Sequence, residues 1–452
     1  MIKSMSVIFV SFFFTACLSQ SKKKTAAYIK PLIIADSALL DTVQKQTIKY
    51  FTDGAEPISG LGRERIHTNN DYPENDKNIV TSGGSGFGVM CLIVAMERKF
   101  ITKEDGVARL EKIVHFLETA DKFHGAWPHW WNGETGKVKP FGKKDNGADL
   151  VETSYMLQGL LCLRQYFKDG NEKEKVLAQR IDKLWKEVEF DWFRNGKNVL
   201  YWHWSPTYDW QMNFPVHGYN ECLIMYILAA SSPTHDVPAK VYHEGWAENG
   251  KIKSPHETLG YKLQLRYQGN PPNGAPLFWS HYSYLGLDPR GLKDTYADYW
   301  QENSNQTLIN YTWCVNNTKN YKGYGKNNWG LTASYSNKFY AAHAPDEKND
   351  LGVISPTAAL SSIPYTPDKS IAAMKHWYYD MNDKLWGPFG FYDAFSESEN
   401  WYPVKYLAID QGPIPVMIEN YRTGLLWKLF MSCPEVQSGL KKLGFESPWL
   451  KK

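Results

Sequence analysis

Among 452 residues no two cysteines form a CxxC pair and no HExxH run occurs, so the specific metal-site signatures are missing and no metal or other cofactor is expected. Apart from Cys17, the chain holds Cys91, Cys162, Cys222, Cys314 and Cys433, an odd number lying mostly in apolar helical patterns. Buried free thiols are expected there, not a disulfide frame. Net charge is only +3 and no long basic run interleaves with the aromatics, which argues against a nucleic-acid partner. The glycine cluster at TSGGSGFG lacks the Lys-Ser/Thr pair of a phosphate-binding loop. Strand signals are few, and no charge shift or flexible linker divides residues 37–450.

Aromatic residues, in contrast, are abundant at 15%, with 18 Trp. That is more than a core needs, and part of the surplus is expected to line a binding surface. The N-terminal stretch MIKSMSVIFVSFFFTAC has one lysine, an apolar run too short to span a membrane and small residues before a cysteine. Phe14-Thr15-Ala16-Cys17 resembles a bacterial lipobox, so residues 1–17 are expected to be a lipoprotein signal with Cys17 lipidated, and 18–36 a polar tether. The expected location is the cell envelope, anchored by lipid alone; the tether lacks the acidic residues of a surface-export signal, which favours the periplasmic face over the cell surface. Residues 37–452 then form a single domain.

Chemistry concentrates in DNGADLVETSYMLQGLL. If it is helical from its start, the spacing of Asp145, Asp149 and Glu152 lines three carboxylates along one face, with Leu150, Leu157 and Leu161 turned to a core. Capping and helix-dipole roles explain Asp145 and Asp149 equally well. The Trp-, Gly- and His-rich HGAWPHWWNGETG precedes it, and an aromatic loop feeding an acidic helix end suits a carbohydrate cleft: sugar faces stack on Trp and hydroxyls need polar partners. Glu221, in GYNECLIMYILAA, is expected on the first turn of an apolar helix, where desolvation would raise its pKa and suit it to donate a proton. Helical periodicity recurs at 37–51, 102–120, 173–189, 298–315, 353–363 and 368–379, and through Ile418, Leu425 and Leu429. Long aromatic loops at alternate junctions of such helices point to an all-α (α/α) toroid with its working rim on one side.

Several stretches together resemble the bacterial glucoamylase-like family, in particular glycoside hydrolase family 144, the endo-β-1,2-glucanases: SGFGVMCLIVAMERKFITKEDG, HGAWPHWWNGETG, DLVETSYMLQGLLCLRQYF, YNECLIMYILAASSPTH, WGLTAS, ISPTAALSSIPYTP and LWGPFGFYDAF with AIDQGP. The resemblance extends from about Ser37 to the C-terminus. It implies an (α/α)6 barrel cleaving β-1,2-glucan with inversion, and its acidic residues match Asp145, Asp149, Glu152, Glu221 and Asp410. Inversion needs a protonated carboxyl at the leaving oxygen and an ionised one activating water. Glu221 is the chosen acid; Asp145, Asp149 and Asp410 stay open as the base, with Asp410 or Asp145 preferred. Glu152 is expected to orient, and Trp127, Trp130 and Trp131 to offer stacking platforms. Arg63 and Arg65 are candidate donors to sugar hydroxyls, while Tyr392 and Asp393 would close the site. His129, His203, His217 and His343 are read as structural.

Two other readings compete. A polysaccharide lyase would use a Tyr/His or Arg set and fewer clustered acids; a non-catalytic glycan-binding lipoprotein would share the aromatics and lipobox without needing the carboxylates. The expected protein is a monomer whose partner is a glucan.

Overall fold

Alternating helix types build the molecule. The computed structural model describes residues 31–450; Cys17, the leader 1–17 and the tether as far as residue 30 lie outside the described residues. Helix α1 (Asp36–Thr52) is amphipathic, burying Leu39, Val43 and Ile48. Helix α2 (Ser82–Glu97) is buried from Ser82 to Met96, the signature of an inner helix covered on all sides. Helix α3 (Lys103–Thr119) is amphipathic and begins at Thr102, whose side chain accepts the Asp105 N–H. Helix α4 (Leu150–Phe167) is again buried along nearly its whole length. Helix α5 (Glu172–Lys186) has acids in its first turn and lysines in its last, and one apolar face. Helix α6 (Leu223–Ser231) is wholly buried. Helix α7 (Tyr299–Asn316) starts at the capping Asp298.

The remaining helices include Pro356–Leu360, Pro367–Tyr379, Ala408–Gln411, Pro413–Arg422, Leu425–Met431 and Pro434–Lys442. Helix α2 packs against α4, α4 against α5, α3 against α5, and α1 and α2 against Pro413–Arg422, so inner helices are backed by outer ones in an (α/α)6 arrangement. The α2–α4 approach is close enough that a Cβ on Gly159 would lie 2.1 Å from the Gly86 carbonyl oxygen. No larger residue fits that crossing. One contiguous apolar core extends from Leu39 to Phe445.

Short strands occupy the loops and pull distant segments together. Arg65–His67 pairs antiparallel with Lys405–Leu407, Ile79–Thr81 with Trp130–Asn132, and Ala148–Asp149 with His203–Trp204. Ala333–Tyr335 and Tyr340–Ala342 form a hairpin. All five cysteines from Cys91 onward are buried and free.

Three elements differ from the sequence expectation. Helix α4 does not begin near Asp145: Asp149 is extended, paired with His203, and serves as its N-cap. Gly147 packs so tightly on Trp204 that a Cβ would sit 2.3 Å from the Trp204 carbonyl oxygen, fixing this segment as extended chain. The three carboxylates therefore do not share a helix face. Glu221 likewise precedes α6, in a turn ended by Cys222 at the helix N-cap. The last periodic stretch is two helices, because Gly424 adopts φ 68° between them.

Candidate active site

A cavity of about 340 Å³ opens among the loops, walled by aromatic rings and three carboxylates, Glu64, Glu152 and Glu221. Glu152 enters it from the first turn of α4, where Asp149 Oδ1 accepts the Glu152 N–H at 2.9 Å. Its Oε2 accepts the Gly83 N–H at 2.8 Å from the first turn of α2. This is why the second residue of α2 is glycine: a Cβ there would meet Glu152 Oε2 at 2.4 Å. Burial pushes the Glu152 pKa up to about 7, the Asp149 charge adding to it and His129 opposing it.

Glu221 is held through its backbone. Ser283 Oγ and Tyr155 OH both donate to its carbonyl oxygen, and Asn220 Oδ1 accepts the Cys222 N–H at 2.9 Å to shape the turn. Its carboxyl is left to face the cavity. Burial, then the charges of Glu152 and Asp149, raise its pKa to about 7.

Behind Glu152 lies a histidine–aspartate group. His129 Nδ1 stands 3.0 Å from Asp149 Oδ2, and His203 Nε2 lies 3.3 Å from Asp145 Oδ2 and 3.8 Å from Asp149 Oδ2. Burial disfavours charge on His129, but Glu152, Asp149 and Glu64 outweigh it and raise its pKa to about 10. Asp149 is opposed by burial yet held below its ordinary value by His129, His203 and the Glu152 N–H. Asp145 is pushed up to about 7 by burial and by Asp149. His203 is pulled down to about 4 by burial. His129, Asp145 and Asp149 present ligand atoms within 4.8 Å of one another, a spacing that could hold a cation. A protonated His129 already supplies positive charge there.

Asp410 and Asp393 do not line the cavity but bond residues that do: Asp410 Oδ1 accepts the Tyr282 hydroxyl at 3.4 Å, and Asp393 Oδ2 accepts the Tyr335 N–H at 2.9 Å. Burial, then the charges of Asp410, Tyr340, Glu152 and Glu221, hold the Tyr282 hydroxyl protonated. Burial raises Asp393 to about 6 and Asp410 well above the usual carboxylate range, the two carboxyls acting on each other.

Arg65 and Trp130 line the cavity, the Arg65 guanidinium 5.6 Å from the Trp130 ring centroid. The buried Arg65 Nε and Trp202 Nε1 have no acceptor among the described residues. Four other sequence candidates lie elsewhere. Trp127 and Trp131 are 0% exposed, and their indole N–H groups donate to Leu117 O and Asp121 O, so they are core and cannot stack on a sugar. Arg63 donates to Gly54 O, Lys77 O and Asn78, binding its own loop. The Tyr392 ring lies 5.0 Å from that of Tyr406, outside the cavity wall. Conversely, Glu64 escaped sequence reading: it sits in a polar-looking loop and reaches the cavity only because Arg65–His67 pairs with Lys405–Leu407, some 340 residues on. His129 was read as structural, whereas it also lines the cavity.

A family model described as putative glucoamylase matches residues 213–434. Among solved structures, an endo-β-1,2-glucanase from Chitinophaga pinensis, in complex with sophorotriose and glucose, is 70% identical with a TM-score of 0.92, covering 92% of this chain and 100% of that one. An exo β-1,2-glucooligosaccharide sophorohydrolase (non-reducing end) from Parabacteroides distasonis is 45% identical over 430 residues, which are 91% of this chain and 58% of that protein. The chain thus spans 58% of the length of this curated relative. Identity of this extent over a whole solved chain, with the helical pairing already described, means that the chain belongs to the glucoamylase-like glycoside hydrolases of family 144.

Proposed function

We propose that this protein hydrolyses β-1,2-glucan with inversion, Glu221 serving as the general acid and Asp410 as the base. The observation that carries the reading is Glu221 itself: a buried carboxyl, raised to about 7 by burial, that opens to an aromatic cavity. Such a group holds a proton near neutral pH and can pass it to a leaving oxygen. Glu152, whose carboxyl burial likewise raises to about 7 against the opposing charge of His129, orients the sugar through its hydroxyls. Arg65 Nε and Trp202 Nε1, unpaired among the described residues, supply donors to hydroxyls, and Trp130 a face for a ring. Asp410, which accepts the hydroxyl of the cavity-lining Tyr282 at 3.4 Å, is the acid assigned to activate water. Both relatives are named for β-1,2-glucan substrates, which supports the linkage.

The lyase reading loses ground because three carboxylates, Glu64, Glu152 and Glu221, crowd a cavity that His129, Arg65 and several tyrosines also line. The test is turnover of linear β-1,2-glucan against β-1,3- and α-linked glucans, with NMR of the first-formed anomer. Release of the α-anomer from β-1,2-glucan supports the proposal; a β-anomer or an unsaturated product sinks it. Product length separates endo from exo action. Lipid attachment at Cys17, with a periplasm-facing monomer, belongs to the same reading and is tested by mass spectrometry of the mature N-terminus.

A further inference from the structure

Asp393 and Asp410 are among the most enclosed acids of the site, at 3% and 2% exposure. Each has one oxygen with a donor: Tyr335 N–H for Asp393 Oδ2 and the Tyr282 hydroxyl for Asp410 Oδ1. The other oxygens, Asp393 Oδ1 and Asp410 Oδ2, are buried with no donor among the described residues. The Asp393 N–H donates to Lys405 O at 3.0 Å, on the strand that leads straight into the helix carrying Asp410, and the two carboxyls act on each other. Two ionised carboxylates so placed would repel and leave both orphaned oxygens unsatisfied. One proton between them removes both penalties.

We propose that Asp393 and Asp410 share a single proton, and that Asp393 is the positioning residue which sets the charge and orientation of Asp410 through it. This rests on the assignment of Asp410 as base. The groups around the pair are Glu64, whose charge acts on both, the Tyr282 and Tyr340 hydroxyls, and Tyr335 with Lys405 over its ring. The Tyr335 N–H, nearer to its acceptor than the Tyr282 hydroxyl is, favours negative charge on Asp393. At rest Asp410 Oδ2 therefore carries the proton, pointed at Asp393 Oδ1. As the attacking water bonds to the anomeric carbon, its proton passes to Asp410 Oδ1 while the Oδ2 proton passes to Asp393 Oδ1. Asp393 becomes neutral, Glu221 gives its proton to the leaving oxygen, and the charges balance.

The pair is tested in the full chain with Asp393→Asn, Asp393→Leu and Asp410→Asn. An asparagine amide donates permanently to Asp410 and removes the competing acid. Asp393→Asn is therefore expected to stay within about tenfold of wild-type kcat/KM while its acidic limb moves to lower pH. Asp393→Leu removes donor and proton acceptor together, with an expected loss of about 10²–10⁴-fold in kcat. Infrared difference spectra at neutral pH should show the same protonated-carboxyl component missing from Asp393→Asn and from Asp410→Asn. An unmoved acidic limb with an unchanged carboxyl band in Asp393→Asn overturns the shared proton. Full activity in Asp410→Asn with that band still lost overturns the base assignment and leaves the shared proton standing.

Discussion

His129 Nδ1 donates to Asp149 Oδ2 across 3.0 Å, and this contact joins the cap of α4 to the cavity wall. The same Asp149 holds the first turn of α4 with its other oxygen, so helix start, imidazolium and Glu152 move as one unit. The positive charge of His129, itself on the cavity wall, opposes the burial that raises the Glu152 pKa to about 7.

Replacing His129 by Gln should accordingly raise the pKa of Glu152, whose burial would no longer be opposed. The acidic limb of kcat/KM is expected to move to higher pH, with kcat reduced about tenfold or more at pH 6. Stability follows the same charge. The folded pKa of His129 is about 10 against an ordinary 6.5, so its stabilisation is complete below pH 6.5 and is lost as pH rises towards 10. Denaturation of wild type and His129→Gln should therefore differ most at pH 6 and converge at alkaline pH. A constant difference would mean that His129 is neutral.

Glu221→Gln carries the opposite sign. The carboxyl's pKa is raised from 4.5 to about 7, so above pH 4.5 the unfolded chain ionises while the folded one still holds its proton. Folding is thereby penalised increasingly between pH 4.5 and 7, by an amount on the order of 3 kcal/mol above that window. The variant should lose about 10²–10⁴-fold in kcat, yet melt higher than wild type at pH 8 and equally at pH 4. Calorimetry at the two pH values checks this. A variant no more stable at pH 8 would show that folding does not raise the Glu221 pKa.

How much of this could be read from the chain alone depended on the range of the interaction. The helices of 37–51, 102–120, 173–189 and 298–315 were legible because each writes its buried face into its own residues, with Thr102, Asn171 and Asp298 as caps. The hairpin Lys253–Thr258 with Tyr261–Leu265 was not, since its first strand is largely exposed and lacks an alternating apolar pattern. Trp127 and Trp130 look alike in sequence. What separates them is the pairing of Thr81 with Trp130, a partner some 50 residues away. Glu64 and the Asp393–Asp410 contact depended on still longer pairings, and local pattern holds no record of those.

Two glycines of α2 should respond differently to Ala. At Gly83 the added methyl meets the Glu152 carboxylate at 2.4 Å and displaces a side chain, whereas at Gly86 it meets the Tyr155 carbonyl at 2.4 Å and the Met156 backbone. Gly83→Ala should lower kcat by about tenfold or more with a modest change in melting temperature, because a side chain can yield. Gly86→Ala should destabilise the whole protein by about 1–3 kcal/mol, because two packed helices must part. Thermal melts and initial rates on the purified variants separate the two. Equal destabilisation by both would place Gly83 in the packing of α2 on α4 and not in the support of Glu152.

Trp130→Ala and Trp127→Ala make the corresponding comparison for the aromatics. Trp130 borders the cavity beside Arg65, so its loss should raise KM for glucan by about 5- to 100-fold, the worth of one stacked sugar face at roughly 1–3 kcal/mol. Melting should shift little, since the ring is only half-buried. Trp127 is fully enclosed and its indole N–H donates to Leu117 O at 3.2 Å. Its truncation leaves a cavity and an unpaired carbonyl, costing about 3–5 kcal/mol of folding stability. KM for the fraction that remains folded should stay near wild type, because the ring never reaches the sugar. Steady-state kinetics at low temperature together with urea unfolding would test the pair, and a raised KM in Trp127→Ala at unchanged stability would return that residue to the binding surface.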